Sequence, residues 1–209
     1  MSMNKINDMD EFKFDKLLHV RTGAEKNITY PDSVQYNPYE PTPYSALETL
    51  FLEYELKEND QIVDYGCGKG RINFYIHYFC GASVKGIEMD EAFFEKAIVN
   101  QRSYLDNTKS NKETIEFFCC LAEEYRIEPS DNRFYFFNPF SIHVFRKVIQ
   151  SILRSVEEMQ REVELILYYP HEEYIYFLEN ETSFELKKEI ILPGLYEKNP
   201  DERFLIYMN

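Results

Sequence analysis

The sequence predicts an α/β fold: a seven-stranded mixed sheet, five parallel strands followed by a C-terminal antiparallel hairpin, with helices on both faces. Three observations carry this. Short apolar runs alternate with segments of helical periodicity between residues 61 and 169, the pattern of parallel strands buried on both faces. Two strand-like runs at the end, 184–192 and 203–208, have no helical pattern between them, so they pair as a hairpin. Five of the seven glycines fall between Gly66 and Gly86, which concentrates tight turns and close backbone approach in one place.

Each element has its own reason. Residues 10–20 and 41–56 carry helical patterns. In the second, Thr42 is the expected N-cap and Pro43 the first helical residue. Leu47, Leu50, Phe51 and Tyr54 then form its apolar stripe. QIVDY (61–65) reads as a buried strand, and 71–80 as a helix stopped by Gly81. SVKGIEM (83–89) is the second strand, after which Asp90 caps a helix whose apolar face is Phe94, Ala97, Ile98, Gln101 and Leu105. A polar loop over 106–113 leads to strands at 113–119 and 133–138. Ser141 opens a helix facing inward through Phe145, Val148, Ile149, Ile152 and Val156, and 163–169 is the fifth strand.

Composition narrows the function. The 209 residues fit one domain, and 44% apolar content supports a full core. No apolar run approaches the length of a membrane span, and the polar start MSMNKINDMDEFKFDK has no secretory pattern. Cys67, Cys80, Cys119 and Cys120 form no CxxC pair and are expected as reduced thiols, so the chain is read as cytoplasmic. There is no H-x-x-x-H and no His/Cys cluster to support a metal. His19, His77, His143 and His171 are scattered and read as surface or packing residues. A net charge of −14 with no basic stretch argues against a long nucleic acid as partner.

The chemistry centres on VDYGCGKGR, which follows a strand and opens a helix. Such a loop turns tightly and points bare backbone and helix N-terminal amides at a ligand. Its spacing, Asp64 followed by Gly66, Gly68 and Gly70, is not that of a dinucleotide fingerprint, and the phosphate-loop G-K-[ST] is absent. Glu88, 22 residues after Gly66, ends the next strand, where a carboxylate can accept both hydrogen bonds of a ribose diol. FFNPFS (136–141) ends the fourth strand at the edge where open α/β sheets bind ligands. There the Asn138 side-chain carbonyl and the Pro139 carbonyl can accept from an NH₂ group, and Phe140 can stack on a planar acceptor; the same three residues also suit a plain strand-ending turn. Tyr30, Tyr36, Tyr39 and Tyr44 read either as an aromatic lid or as a packed flap.

In these motifs the chain resembles the class I S-adenosylmethionine-dependent methyltransferases, a Rossmann-like family. The acid plus G-x-G-x-G is matched by Asp64, Gly66, Gly68 and Gly70, and the acid after the second strand by Glu88. The N-P-F of Asn138, Pro139 and Phe140 is similar to the N-P-P-[YF] of amino-methyltransferases, with one Pro missing. The resemblance implies S-adenosylmethionine as cofactor. Asp64 and the loop Gly66, Cys67, Gly68 and Gly70 would hold the methionine part, and Glu88 the ribose. The family's Asp after the third strand is replaced by Leu121, so adenine falls to groups near Leu121 and Ala122, or to Glu123. Thr42 and Pro43 would close over the methionine end. Residues 1–40 are then an extension covering the site, and 41–209 the cofactor-binding domain. The expected activity is methyl transfer to an amino or amide nitrogen of a small-molecule or protein acceptor. The alternatives are an O- or C-methyltransferase of a small molecule and a non-catalytic cofactor-binding module.

Overall fold

A computed structural model describes residues 11–24, 36–108 and 114–209. Tyr30 lies outside them. The expected sheet is present: β1 (Gln61–Tyr65), β2 (Ser83–Glu88), β3 (Ile115–Cys119), β4 (Arg133–Phe137), β5 (Glu164–Tyr168), β6 (Glu185–Ile191) and β7 (Arg203–Met208). They lie in the order β3-β2-β1-β4-β5-β7-β6. β1 to β5 are parallel, and β7 joins antiparallel between β5 and β6. The chain crosses from one half of the sheet to the other between β1 and β4, so a crevice opens at their C-terminal ends.

The helices are α1 (11–17), α2 (Tyr44–Glu53), α3 (Arg71–Cys80), α4 (Glu91–Thr108), α5 (Ile142–Glu158) and α6 (Glu172–Glu181). Alternate strand residues feed two cores. Ile62, Tyr135 and Ile166 pack with α2, α3 and α4 residues on one face. Val63, Tyr65, Phe134, Phe136 and Leu165 pack with α5 and α6 residues on the other. No described helix is long and apolar enough to cross a membrane.

Three local readings need correction. α2 starts one residue later than expected: Pro43 is its N-cap, and the Thr42 hydroxyl bonds the Tyr135 hydroxyl at 2.8 Å instead of capping. The capping acceptor comes from elsewhere, because Glu11 Oε1 receives the Tyr44 N–H at 2.8 Å. On α4 the buried face is Phe93, Ala97, Asn100 and Tyr104, one position off the expected stripe. Polar Asn100 can face inward because its carboxamide receives the Arg21 N–H and donates to the Arg21 and Lys69 carbonyls. Tyr104 likewise bonds His77 Nδ1, and the second His77 nitrogen meets Thr114. Finally, α6 was not anticipated; it lies between β5 and β6, and the His171 side chain caps it by accepting the Glu173 N–H. Asp90 caps α4 as expected, receiving the Ala92 and Phe93 amides.

Candidate active site

The glycine loop leaves β1 and enters α3 with Gly66, Gly68 and Gly70 all at positive φ. At Gly66 a Cβ would stand 2.7 Å from the Pro139 side chain, and at Gly68 2.1 Å from the Tyr39 ring. The loop is therefore glycine because other parts of the chain press on it, in a backbone region costly for other residues. Gly68→Ala is expected to lose about 1–2 kcal/mol from backbone strain alone and to lift Tyr39 off the loop. Thermal denaturation, with tyrosine fluorescence as the second probe, checks both.

Beside the loop lies a cavity of about 620 Å³ whose walls include Asp64, Gly66, Cys67, Glu88, Ala122 and Asn138. That volume is in the range of small-molecule sites. Thr42, Pro139 and Phe140 also reach it. Gly66 and Cys67 of the glycine loop, the β2 acid and the β4 motif thus meet in one cavity, although 74 positions separate Asp64 from Asn138; Gly68, under the Tyr39 ring, and Gly70, against Phe117 and Phe74, lie outside its wall. Leu121 is 37% exposed and outside the wall, whereas its neighbours Cys120 and Ala122 are in it. His143 is exposed and outside it too.

Asp64 is only 3% exposed, and its Oδ2 is buried with no hydrogen-bond partner. Burial, and then the Glu88 carboxylate, hold its pKa well above the usual carboxylate range. A buried carboxylate oxygen with no donor is costly; a ligand bringing a positively charged donor would remove that cost. Glu88 receives the Gly68 N–H on Oε2 at 2.9 Å and the Asp90 N–H on Oε1 at 2.8 Å. Burial raises its pKa, and these two amides oppose the rise. Each oxygen keeps a lone pair for a further donor. The same burial, reinforced by Asp64 and Glu88, raises the Cys67 thiol, so Cys67 is a packing atom rather than a nucleophile.

At the end of β4, Asn138 adopts a left-handed φ of 39°. Its side chain makes no hydrogen bond to the described residues. Its backbone does: Asn37 Nδ2 donates to the Asn138 carbonyl at 2.6 Å, and the Asn37 N–H to the Pro139 carbonyl at 3.0 Å. The Pro139 carbonyl, expected to face an acceptor amine, already serves the N-terminal segment. Phe140 also departs from its expected stacking role. It is 2% exposed, edge-on to Phe136 and Tyr36, and its carbonyl receives the Tyr174 hydroxyl. A ring so enclosed has no face for a ligand.

The segment before α2 forms the remaining wall. Tyr36 bridges Phe140 as an isolated β-pair and donates its hydroxyl to Glu123 at 3.1 Å. Tyr39 lies between Gly68 and Phe93, with its hydroxyl on the Thr22 carbonyl at 2.6 Å. Tyr44 is fully buried in α2 and is core rather than lid. The lid and flap readings thus divide by residue. Sequence reasoning missed Arg71, a buried cation at the start of α3 that pairs with Glu11 and bonds Thr22 and the Thr42 carbonyl. It ties residues 11–22 and 42 to the glycine loop. An Arg directly after a glycine loop was the available signal.

No family model matches this chain, and no curated protein matches it. Solved structures do match in fold. An RNA methyltransferase from Salinibacter ruber in complex with S-adenosyl-L-homocysteine is 17% identical, over 81% of this chain and 92% of that one, with a TM-score of 0.52. The human methyltransferase 10 domain containing protein is 11% identical, over 98% of this chain and 96% of that one, at 0.57. Geranyl diphosphate C-methyltransferase from Streptomyces coelicolor is 12% identical, over 79% and 76%, at 0.53. The class that this defines is one of architecture: a Rossmann-like methyltransferase fold, with the seven-stranded order and the antiparallel β7 found here.

Proposed function

We propose that the chain is an S-adenosylmethionine-dependent methyltransferase whose acceptor atom is a nitrogen. The observation that carries the cofactor is the buried, partnerless Asp64 oxygen beside the glycine loop. It suits the cofactor's ammonium group. The cavity walls also contain Glu40, Glu88 and Asp90, and the one cation among the described wall residues, Arg71, is committed to Glu11, Thr22 and Thr42. Such walls fit a cationic ligand without phosphates and disfavour a dinucleotide.

Asp64 holds the amino end, with Gly66 and Cys67 as backbone cradle, Gly68 and Gly70 shaping the turn behind them, and Thr42 closing that end through its buried pair with Tyr135. Glu88 takes the ribose hydroxyls on its remaining lone pairs. The Ala122 N–H, on the cavity wall beside Leu121, donates to no acceptor among the described residues and reads the adenine edge in place of the missing Asp. When bound, the cofactor supplies an electrophilic methyl on a positively charged sulfur. The protein's part is placement: Asn138 Oδ1 accepts an N–H from the acceptor and so aims the nitrogen lone pair, which is where most of the rate in such a transfer arises. Pro139 fixes the Asn138 backbone. The described parts of the N-terminal extension, 11–24 and 36–40, act as a cover over the site of the domain 41–209.

The structures similar in fold include RNA and small-molecule enzymes. For this chain the acidic walls and the net charge of −14 favour a small-molecule or protein acceptor over a long nucleic acid. One observation supports a second reading. With one lone pair of the Pro139 carbonyl taken by the Asn37 N–H, the amine clamp is weakened, which suits an O- or C-methyltransferase or a non-catalytic module. Titration calorimetry with S-adenosylmethionine, S-adenosylhomocysteine and NAD tests the cofactor. Heat with the two sulfur compounds and none with NAD is expected; no heat with either sulfur compound ends the proposal. Release of S-adenosylhomocysteine across amine, hydroxyl and carbon acceptors then decides the atom.

A further inference from the structure

Phe140 has no free face, yet the cavity has an aromatic wall at the same edge, one strand over. Phe137 and Tyr168 are register partners on β4 and β5, so Asn138 and Tyr169 follow side by side. Both adopt left-handed backbone, with φ of 39° and 49°, and each is followed by a proline, Pro139 and Pro170. Asn tolerates that region through its short polar side chain. A tyrosine there is a real outlier, of the kind retained where the surroundings impose it and function uses it. The surroundings are visible. The Tyr169 N–H bonds the Arg203 carbonyl at 3.1 Å, and Asn199 Nδ2 donates to the Tyr169 hydroxyl at 2.6 Å. The half-buried ring lies 6.5 Å from that of Phe137, and both rings line the cavity that Asn138 enters.

We propose that Tyr169, with Phe137 and the Asn138 carboxamide, forms the acceptor subsite, and that it takes a flat aromatic ring bearing an amino group, on the ring or on a short side chain, with neither phosphate nor carboxylate. This rests on the methyltransferase reading and names the substrate class for the same site. Tyr169 supplies the stacking face, and the Asn138 oxygen meets the amine. Exposed Glu40, on the same cavity wall, draws positive charge to the mouth. An anionic acceptor finds no uncommitted cation among the described wall residues, since Arg71 is spent on the N-terminal segment.

The chain contains no tryptophan, so an indole probe is the only indole emitter in solution. Tryptamine and indole-3-acetate share a ring and differ in charge. Titrating the S-adenosylhomocysteine-loaded protein into each should shift tryptamine emission and leave indole-3-acetate unchanged. Tyr169→Asn keeps a residue suited to left-handed backbone and removes the ring. It should weaken tryptamine binding about tenfold while S-adenosylhomocysteine affinity stays within about twofold, and Tyr169→Phe should retain both. No tryptamine shift, equal binding of indole-3-acetate, unchanged tryptamine affinity in Tyr169→Asn, or displacement of tryptamine by a short single-stranded RNA would each overturn the subsite. Failure of S-adenosylhomocysteine to bind wild-type protein would instead overturn the methyltransferase reading. The subsite is then decided by the same two indoles on the unloaded protein.

Discussion

Asp64→Asn is expected to make the free protein more stable at neutral pH and to weaken its affinity for the cofactor. Burial and Glu88 raise the Asp64 pKa in the folded chain. The neutral acid is therefore the form that folding prefers. Its contribution is fully present below the unfolded value of about 4 and is lost as pH rises through the folded value. Asn mimics that neutral form at every pH. The stability gained by Asp64→Asn should thus be near zero at the acid end and grow with pH, as denaturant melts across pH will show. Binding runs the other way. An ammonium group beside Asp64 favours the carboxylate, so wild-type affinity should rise with pH as Asp64 ionises. Loss of a hydrogen bond to a charged group is worth about 1.5–3 kcal/mol, so Asp64→Asn should bind S-adenosylhomocysteine about 10- to 100-fold more weakly. A variant that binds normally would show that the partnerless oxygen faces no ligand. Glu88 shifts in the same direction and adds to the wild-type pH dependence.

Removal of the Asn138 carboxamide should cost about 100-fold in kcat with cofactor affinity nearly intact, the size of effect that misplacement of a reacting atom produces. The choice of substitution matters. Ala at a φ of 39° adds backbone strain to the loss of the amide. Asn138→Gly deletes the side chain and keeps the turn, so it isolates the chemistry. Once an acceptor is in hand, single-turnover rates should fall in Asn138→Gly and recover in part in Asn138→Asp, which restores an oxygen acceptor. Equal loss of stability and cofactor affinity in Asn138→Gly, with kcat unchanged, would assign Asn138 to the turn alone.

The legible part of this protein was local. Buried strands, the helix stop at Gly81, the Asp90 cap and the terminal hairpin are written as periodicity and turn chemistry over a few residues. Asp64, Gly66, Glu88 and Asn138 could be placed together for the same reason: they lie at or just past strand ends, and parallel strands bring their C-terminal ends to one edge. Readings failed where a distant segment supplied the partner. Thr42 looked like a cap until Glu11 provided the acceptor. The α4 stripe slipped by one because Arg21 and Lys69 satisfy Asn100. α6 went unread because its ten residues carry a weak pattern and are held by Tyr174, Phe177 and Leu178 against the sheet.

Short-range pattern and turn chemistry specified seven strands, the terminal antiparallel pair and the acidic glycine loop; the strand order and the crevice between β1 and β4 came from the packed sheet. Tertiary structure alone decided what each site residue is free to do. It left the Asp64 oxygen without a partner, engaged the Pro139 carbonyl with Asn37, closed Phe140 inside the core and set Tyr169 beside Asn138. The physical reason is that hydrogen-bond satisfaction and burial are sums over neighbours in space. Those neighbours come from residues 11–24, 36–43 and 199–203, far along the chain from the motifs they constrain.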